Sequence, residues 1–134
     1  MNDTLKPGLT REFHHIVDDV RAISFMGDDL RVYATPSIVN DLEYACRDLI
    51  LDHLDDGMDT VGARVEIDHL KPTPMGQAVR HVVTVDEAKG RSVTCSVDVF
   101  DAVEKVASAR HIRFIVDIDR LKKAVAQKRA AMPS

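Results

Sequence analysis

The chain has 134 residues, with 18 lysines and arginines against 22 aspartates and glutamates, and a formal net charge of −4. That length can bury a core without disulfide staples, and the mild acidity argues against a dedicated phosphate-backbone binder. Four Phe, two Tyr and no Trp leave too few rings for a base-stacking platform, and no long apolar run offers a membrane span. The polar stretch Met1–Arg11 lacks the apolar core of a signal peptide, so a cytoplasmic protein is expected. Cys46 and Cys95 stand in apolar surroundings without CxxC spacing and read as buried free thiols.

In chain order, Arg11–Asp18 reads as a first strand. Residues Val20–Tyr33 are ambiguous and contain a turn signal, Gly27-Asp28-Asp29. The strongest helix signal runs from Ser37 to Asp56. Pro36 suits its first turn, Thr35 is a capping candidate and Gly57 a stop. Thr60–Leu70 alternates partly, through Val61, Ala63, Val65 and Ile67. Ala78–Glu87 follows, then a turn at Lys89-Gly90. Arg91–Phe100 places Val93, Cys95, Val97 and Val99 at strict period two, the mark of a half-buried strand. Val106–Asp117 is the last strand, and Asp119 caps a short helix, Arg120–Lys128. The pattern predicts an α+β domain over residues 9–128 between tails at 1–8 and 129–134. About five antiparallel strands, the last four in meander order, curl around one long helix.

At about 100° per residue, Ile38, Val39, Leu42, Ala45, Cys46, Leu49, Ile50 and Leu54 share one half of the helix, and Glu43 falls among them. Asn40, Asp41, Arg47 and Asp48 fall outside that half. Two readings of Glu43 stand: a carboxylate at the edge of the apolar face that reaches solvent, or an acid or base held in a partly dry site. His53 shares the half and reads as a structural histidine. His14 and His15 point to opposite faces of a strand, and His81 and His111 are strand residues without partners visible in sequence. No spacing resembles a zinc motif, so no metal site is expected, and no phosphate-binding loop or nucleophile elbow is present. Asp68 to Gly76 closes a strand with Pro72, Pro74 and Gly76, which places His69 at a strand end, where side chains are re-aimed.

Ala34-Thr35, Leu42-Glu43-Tyr44-Ala45-Cys46, and His69 followed by Thr73-Pro74-Met75-Gly76 resemble the hotdog-fold acyl-CoA thioesterases, within them the fluoroacetyl-CoA thioesterase-like group. Eight residues from Thr35 to Glu43 and 26 from Glu43 to His69 match that group's spacing. Lys89-Gly90-Arg91 and Ala107–Arg113 are similar to its turn and last-strand motifs, and the likeness runs from about Leu9 to Lys128. The resemblance implies a hotdog fold, a homodimer (or a dimer of dimers) with its site near the subunit interface, and hydrolysis of an acyl-CoA without a cofactor. It implies Thr35, Glu43 and His69 as the catalytic set, and Phe25, Pro36, Gly76 and Arg113 as substrate-facing positions. Thioester hydrolysis needs a carboxylate as nucleophile or as base for water, a donor for the oxyanion and a proton for the leaving thiolate. Thr35 could orient Glu43, bind the carbonyl or attack it. Lys71, Arg80, Arg110 and Arg113 are the candidate surface cations for the CoA nucleotide.

The segment Val20–Tyr33 is shorter than the group's phenylalanine-bearing lid, with Phe25 its only Phe. Pro36, Ala107 and Ala109 stand where the group carries glycine. The reaction class therefore carries over, and the fluorinated substrate does not. The competing readings are a non-catalytic acyl-ligand binding protein and, below it, a dehydratase or hydratase acting on acyl thioesters.

Overall fold

The computed structural model describes residues 4–133. Five antiparallel strands form one sheet: β1 (Thr10–Ile16), β2 (Met58–His69), β3 (Ala78–Lys89), β4 (Ser92–Phe100) and β5 (Lys105–Asp117). Helix α1 (Thr35–Leu51) lies across one face, and α2 (Ile118–Ala131) closes the chain. Among the described residues no helix is long and apolar enough to cross a membrane.

Helix α1 starts where Ala34 is extended and Pro36 sits in the first turn, with Ile38 N–H donating to Ala34 O at 3.0 Å. Thr35 is the first helical residue and not the cap; its hydroxyl is turned elsewhere. The helix ends at Leu51, five residues before the expected Asp56. Asp52, Asp55 and Asp56 would extend it with negative charge at the end where the helix dipole is already negative. Two tight turns follow instead, with His53 N–H on Ile50 O and Leu54 N–H on Leu51 O. Ile38, Leu42, Ala45, Cys46, Leu49 and Ile50 are buried against Val83, Val85, Val97, Val99 and Ala107 of the sheet. Each large aliphatic buried there contributes about 1.5–3 kcal/mol.

The strand order is β1-β3-β4-β5-β2. β3, β4 and β5 form the expected meander, but β2 pairs with β5 and not with β3. The stretch between β2 and β3 carries Pro72 and Pro74, which lack an N–H, and forms no tight hairpin turn. This connection instead crosses at the start of α1. Tyr33 N–H donates to Thr73 O at 2.8 Å, Val32 bridges Pro74, and Gly76, at φ +96°, donates to Val17 O at 2.7 Å. Thr73 is fully buried and donates to Asp101 Oδ2 at 2.9 Å, tying the crossing to the β4–β5 turn. The result leaves β2, twelve residues long, as an edge strand.

A bulge between Gly62 and Arg64 changes which β2 side chains face the helix. Straight alternation turns Val61 inward; past the bulge Thr60 is buried and Val61 is exposed. The segment read as ambiguous folds back on itself through Ala22 and Tyr33, around a single 3-10 turn at Asp28–Leu30. At the other end Asp117, not Asp119, caps α2 by accepting from Arg120 N–H at 3.1 Å, and the helix continues past Lys128. Leu5, in the stretch expected as a tail, is buried in the core.

Candidate active site

His69 is the last residue of β2 and faces the helix side of the sheet, level with Ala107 of β5. It meets the first residue of α1: Thr35 Oγ1 lies 2.7 Å from His69 Nδ1. Burial is the larger influence on this imidazole and lowers its pKa, against a backbone hydrogen bond with Lys71 that raises it, so His69 is neutral at pH 7. Its ring opens onto a recess of about 200 Å³ shared with Leu70, Lys71 and Pro72. The first turn of α1 also leaves the N–H groups of Thr35 and Ser37 without intrahelical acceptors. The positive end of the helix therefore faces the pair.

Glu43 belongs to the same helix, eight residues and about 12 Å further along its axis. It is half-buried, and its carboxylate lies over Gly62 of β2. Among the described residues it shares no hydrogen bond with Thr35 or His69. Its neighbours are His111 and Arg113 of β5, which lie on one face of that strand at i and i+2. Arg113 is 5% exposed; its Nε donates to Thr60 Oγ1 at 2.7 Å and its Nη2 to Thr60 O at 2.8 Å. His111 Nδ1 donates to Arg64 O at 2.8 Å, which leaves Nε2 to accept from Arg113 Nη1 at 3.1 Å. Burial lowers the pKa of both groups, while the Glu43 charge acts to raise it.

One chain thus holds two separate groups of polar residues: Thr35 with His69 at the helix start, and Glu43 with Arg113 two turns on. Pro36 adjoins the first. Gly76 serves the turn that brings the crossing segment back to β1, and Phe25 stands 76% exposed at the tip of the folded-back loop. Of the cations expected at the surface, Lys71 borders the His69 recess. Arg80 pairs with Glu12 and lies over the Phe100 ring, and Arg110 lies in a depression with Glu66 and Asp98; neither hydrogen-bonds to Thr35, Glu43 or His69 among the described residues. Arg113 is an interior group and not a surface one.

Sequence reasoning missed Gly62, although a glycine inside a strand pattern signals a close approach. It also missed a second buried polar cluster. Asp41, expected on the solvent side of α1, is 5% exposed; it accepts from Tyr33 Oη and from Arg21 Nε, the latter at 2.9 Å. His81 Nε2 lies 3.0 Å from Tyr33 Oη.

A family model described as fluoroacetyl-CoA-specific thioesterase matches residues 17–119. The chain is similar to a fluoroacetyl-CoA thioesterase of Streptantibioticus cattleyicolor, 27% identical over 100 residues, 75% of this chain and 72% of the relative. Among solved structures, a hot-dog-like protein from Thermanaerovibrio acidaminovorans superposes with a TM-score of 0.85 at 25% identity, covering 91% of each chain. A Thermus thermophilus protein described as a thioesterase superfamily member superposes with a TM-score of 0.86 at 23% identity, covering 96% of each. The fold is the hotdog fold.

Proposed function

Because this chain belongs to the fluoroacetyl-CoA-specific thioesterase family and is a thioester hydrolase, we propose that it hydrolyses a small or medium acyl-CoA with Glu43, His69 and Thr35 as its reacting groups. The observation that carries this reading is the Thr35–His69 hydrogen bond at the positive end of α1. There the thioester oxygen would find the Thr35 hydroxyl and the free N–H groups of the first helical turn as charge develops on it. The Glu43 carboxylate works on the acyl carbon either by taking a proton from water, whose hydroxide adds to that carbon, or by adding directly to form an anhydride that water then hydrolyses to free the acid and Glu43. The C–S bond breaks, and the CoA thiolate leaves with a proton relayed through neutral His69. Lys71, beside the recess, would meet the phosphates of CoA.

The same reading makes the enzyme a cytoplasmic homodimer. The outer edge of β2 presents a long row of unpaired backbone groups, a ready template for a second copy. Antiparallel pairing of β2 with its copy about a two-fold axis at Glu66, with the bulge between Gly62 and Arg64 taking up one extra residue, would set Gly62, and the Glu43 above it, opposite His69 of the partner subunit. Each complete site then takes Glu43 from one protomer and the Thr35–His69 pair from the other. Phe25, Pro36, Gly76 and Arg113 are proposed to face the substrate.

Free-thiol release from a panel of acyl-CoAs tests the reading. Glu43→Ala and His69→Ala should each lower kcat at least about a hundredfold while leaving the circular dichroism spectrum intact. Undiminished turnover in both variants would remove these residues from the mechanism.

A further inference from the structure

The wall beside Glu43 is polar. A cavity of about 270 Å³ is bounded by Asn40, Glu43, Tyr44 and Arg47 of α1 and by Arg113 of β5. The four helical residues stand at i, i+3, i+4 and i+7, so they form one stripe along the helix flank that overhangs β2. No aliphatic side chain lines this space. Arg47 is fixed in place by Asp59, which accepts from its Nε at 2.9 Å and from its Nη2 at 2.7 Å. Its Nη1 stays 3.7 Å from the Asp48 carboxylate, too far for a hydrogen bond. Arg113 hydrogen-bonds to Thr60 and His111, and the Glu43 and Asp59 charges act on it from nearby. Asn40 and Tyr44 are exposed residues of the stripe.

An alkyl chain in this cavity would strip water from several donors and replace none of the lost hydrogen bonds. An oxygen acceptor on the chain would replace them. A site that hydrogen-bonds an acceptor on its ligand rejects an analogue that lacks it far more strongly than an apolar pocket rejects an extra methylene.

We propose that this cavity is the acyl subsite and that it selects acyl-CoA thioesters whose acyl chain carries an oxygen acceptor, a carboxylate or a hydroxyl, with Asn40 and Arg47 as specificity-determining residues. This rests on the reading of Glu43 as the reacting carboxylate.

The test compares binding of three unreactive thioethers, S-(3-carboxypropyl)-CoA, S-(3-hydroxybutyl)-CoA and S-butyl-CoA, by titration calorimetry, alongside hydrolysis of succinyl-, 3-hydroxybutyryl- and butyryl-CoA. The native protein should favour at least one oxygen-bearing ligand over its butyl counterpart by about tenfold or more, and the carboxylate and hydroxyl arms show which acceptor it prefers. Arg47→Met also strips Asp59 of its partner, so Asn40→Leu, at an exposed position, provides the second variant. Each should bring the ratio within about threefold. Equal affinity for the butyl ligand, or a ratio untouched by both substitutions, overturns the proposal. A binding preference without hydrolysis would leave the subsite and remove the catalytic reading; hydrolysis without preference would do the reverse.

Discussion

Glu43 can lie down on the sheet only because residue 62 of β2 is a glycine: a Cβ there would stand 2.5 Å from Glu43 Oε1. The same Cβ would come within 3.3 Å of His111 Cε1. The carboxylate is the mobile party, so Gly62→Ala should move it and leave the sheet in place. A displacement of about 1 Å at a reacting group costs on the order of a hundredfold in rate. We expect kcat to fall by at least about tenfold. The melting temperature should stay within a few degrees, because alanine suits a strand better than glycine. Full activity in Gly62→Ala would show that the Glu43 position over β2 is unimportant to the reaction.

A shared site makes a second prediction that arithmetic decides. Glu43→Ala and His69→Ala proteins, each inactive alone, should regain activity when unfolded together and refolded as a mixture. If the two variants associate at random, about half of the dimers are mixed, and each mixed dimer has one site with both residues intact. Recovery of about a quarter of native activity is expected. No recovery, with mixed dimers demonstrated by differential tagging, would place both groups in one chain's site.

The buried histidine of β3 ties stability to pH. Burial pushes the His81 pKa down to about 4, and its Nδ1 has no hydrogen-bond partner among the described residues. The unfolded chain protonates this imidazole near pH 6.5, so between that pH and about 4 the unfolded state binds more protons. Stability is therefore fully present above pH 6.5 and is lost as the pH falls toward 4. The loss attributable to this group is on the order of 3 kcal/mol. His15, His69 and His111, whose pKa values are also lowered, act in the same direction. Urea unfolding at pH 7 and pH 4.5 measures the slope. His81→Gln should flatten it, and an unchanged slope in that variant would assign the acid sensitivity to other groups.

Much of the candidate site was legible in one dimension because its residues sit at conspicuous breaks in pattern. Glu43 interrupts an apolar helix face, and His69 precedes two prolines and a glycine. Gly62 and Thr60 could not be read the same way, and Arg113, named as a candidate, was expected at the surface and is buried. The bulge at Gly62/Arg64 reverses the inward parity of β2, and a period-two reading carries straight through it. Asp41 was misjudged for a related reason. The helix wheel knows the sheet side of α1 but not the Arg21 and Tyr33 that arrive from the folded-back loop to satisfy a buried carboxylate.

Local periodicity and turn chemistry determined the elements of this protein: one apolar helix, five strands, and the residue types that thioester chemistry requires. Those properties are set by neighbours within a few positions along the chain. Tertiary structure alone decided that β2 leaves its expected place beside β3 to become an edge. It alone separated Thr35 and His69 from Glu43 along the helix, and it lined the cavity beside Glu43 with polar side chains. Each of these depends on contacts between residues tens of positions apart, and no local rule carries that information.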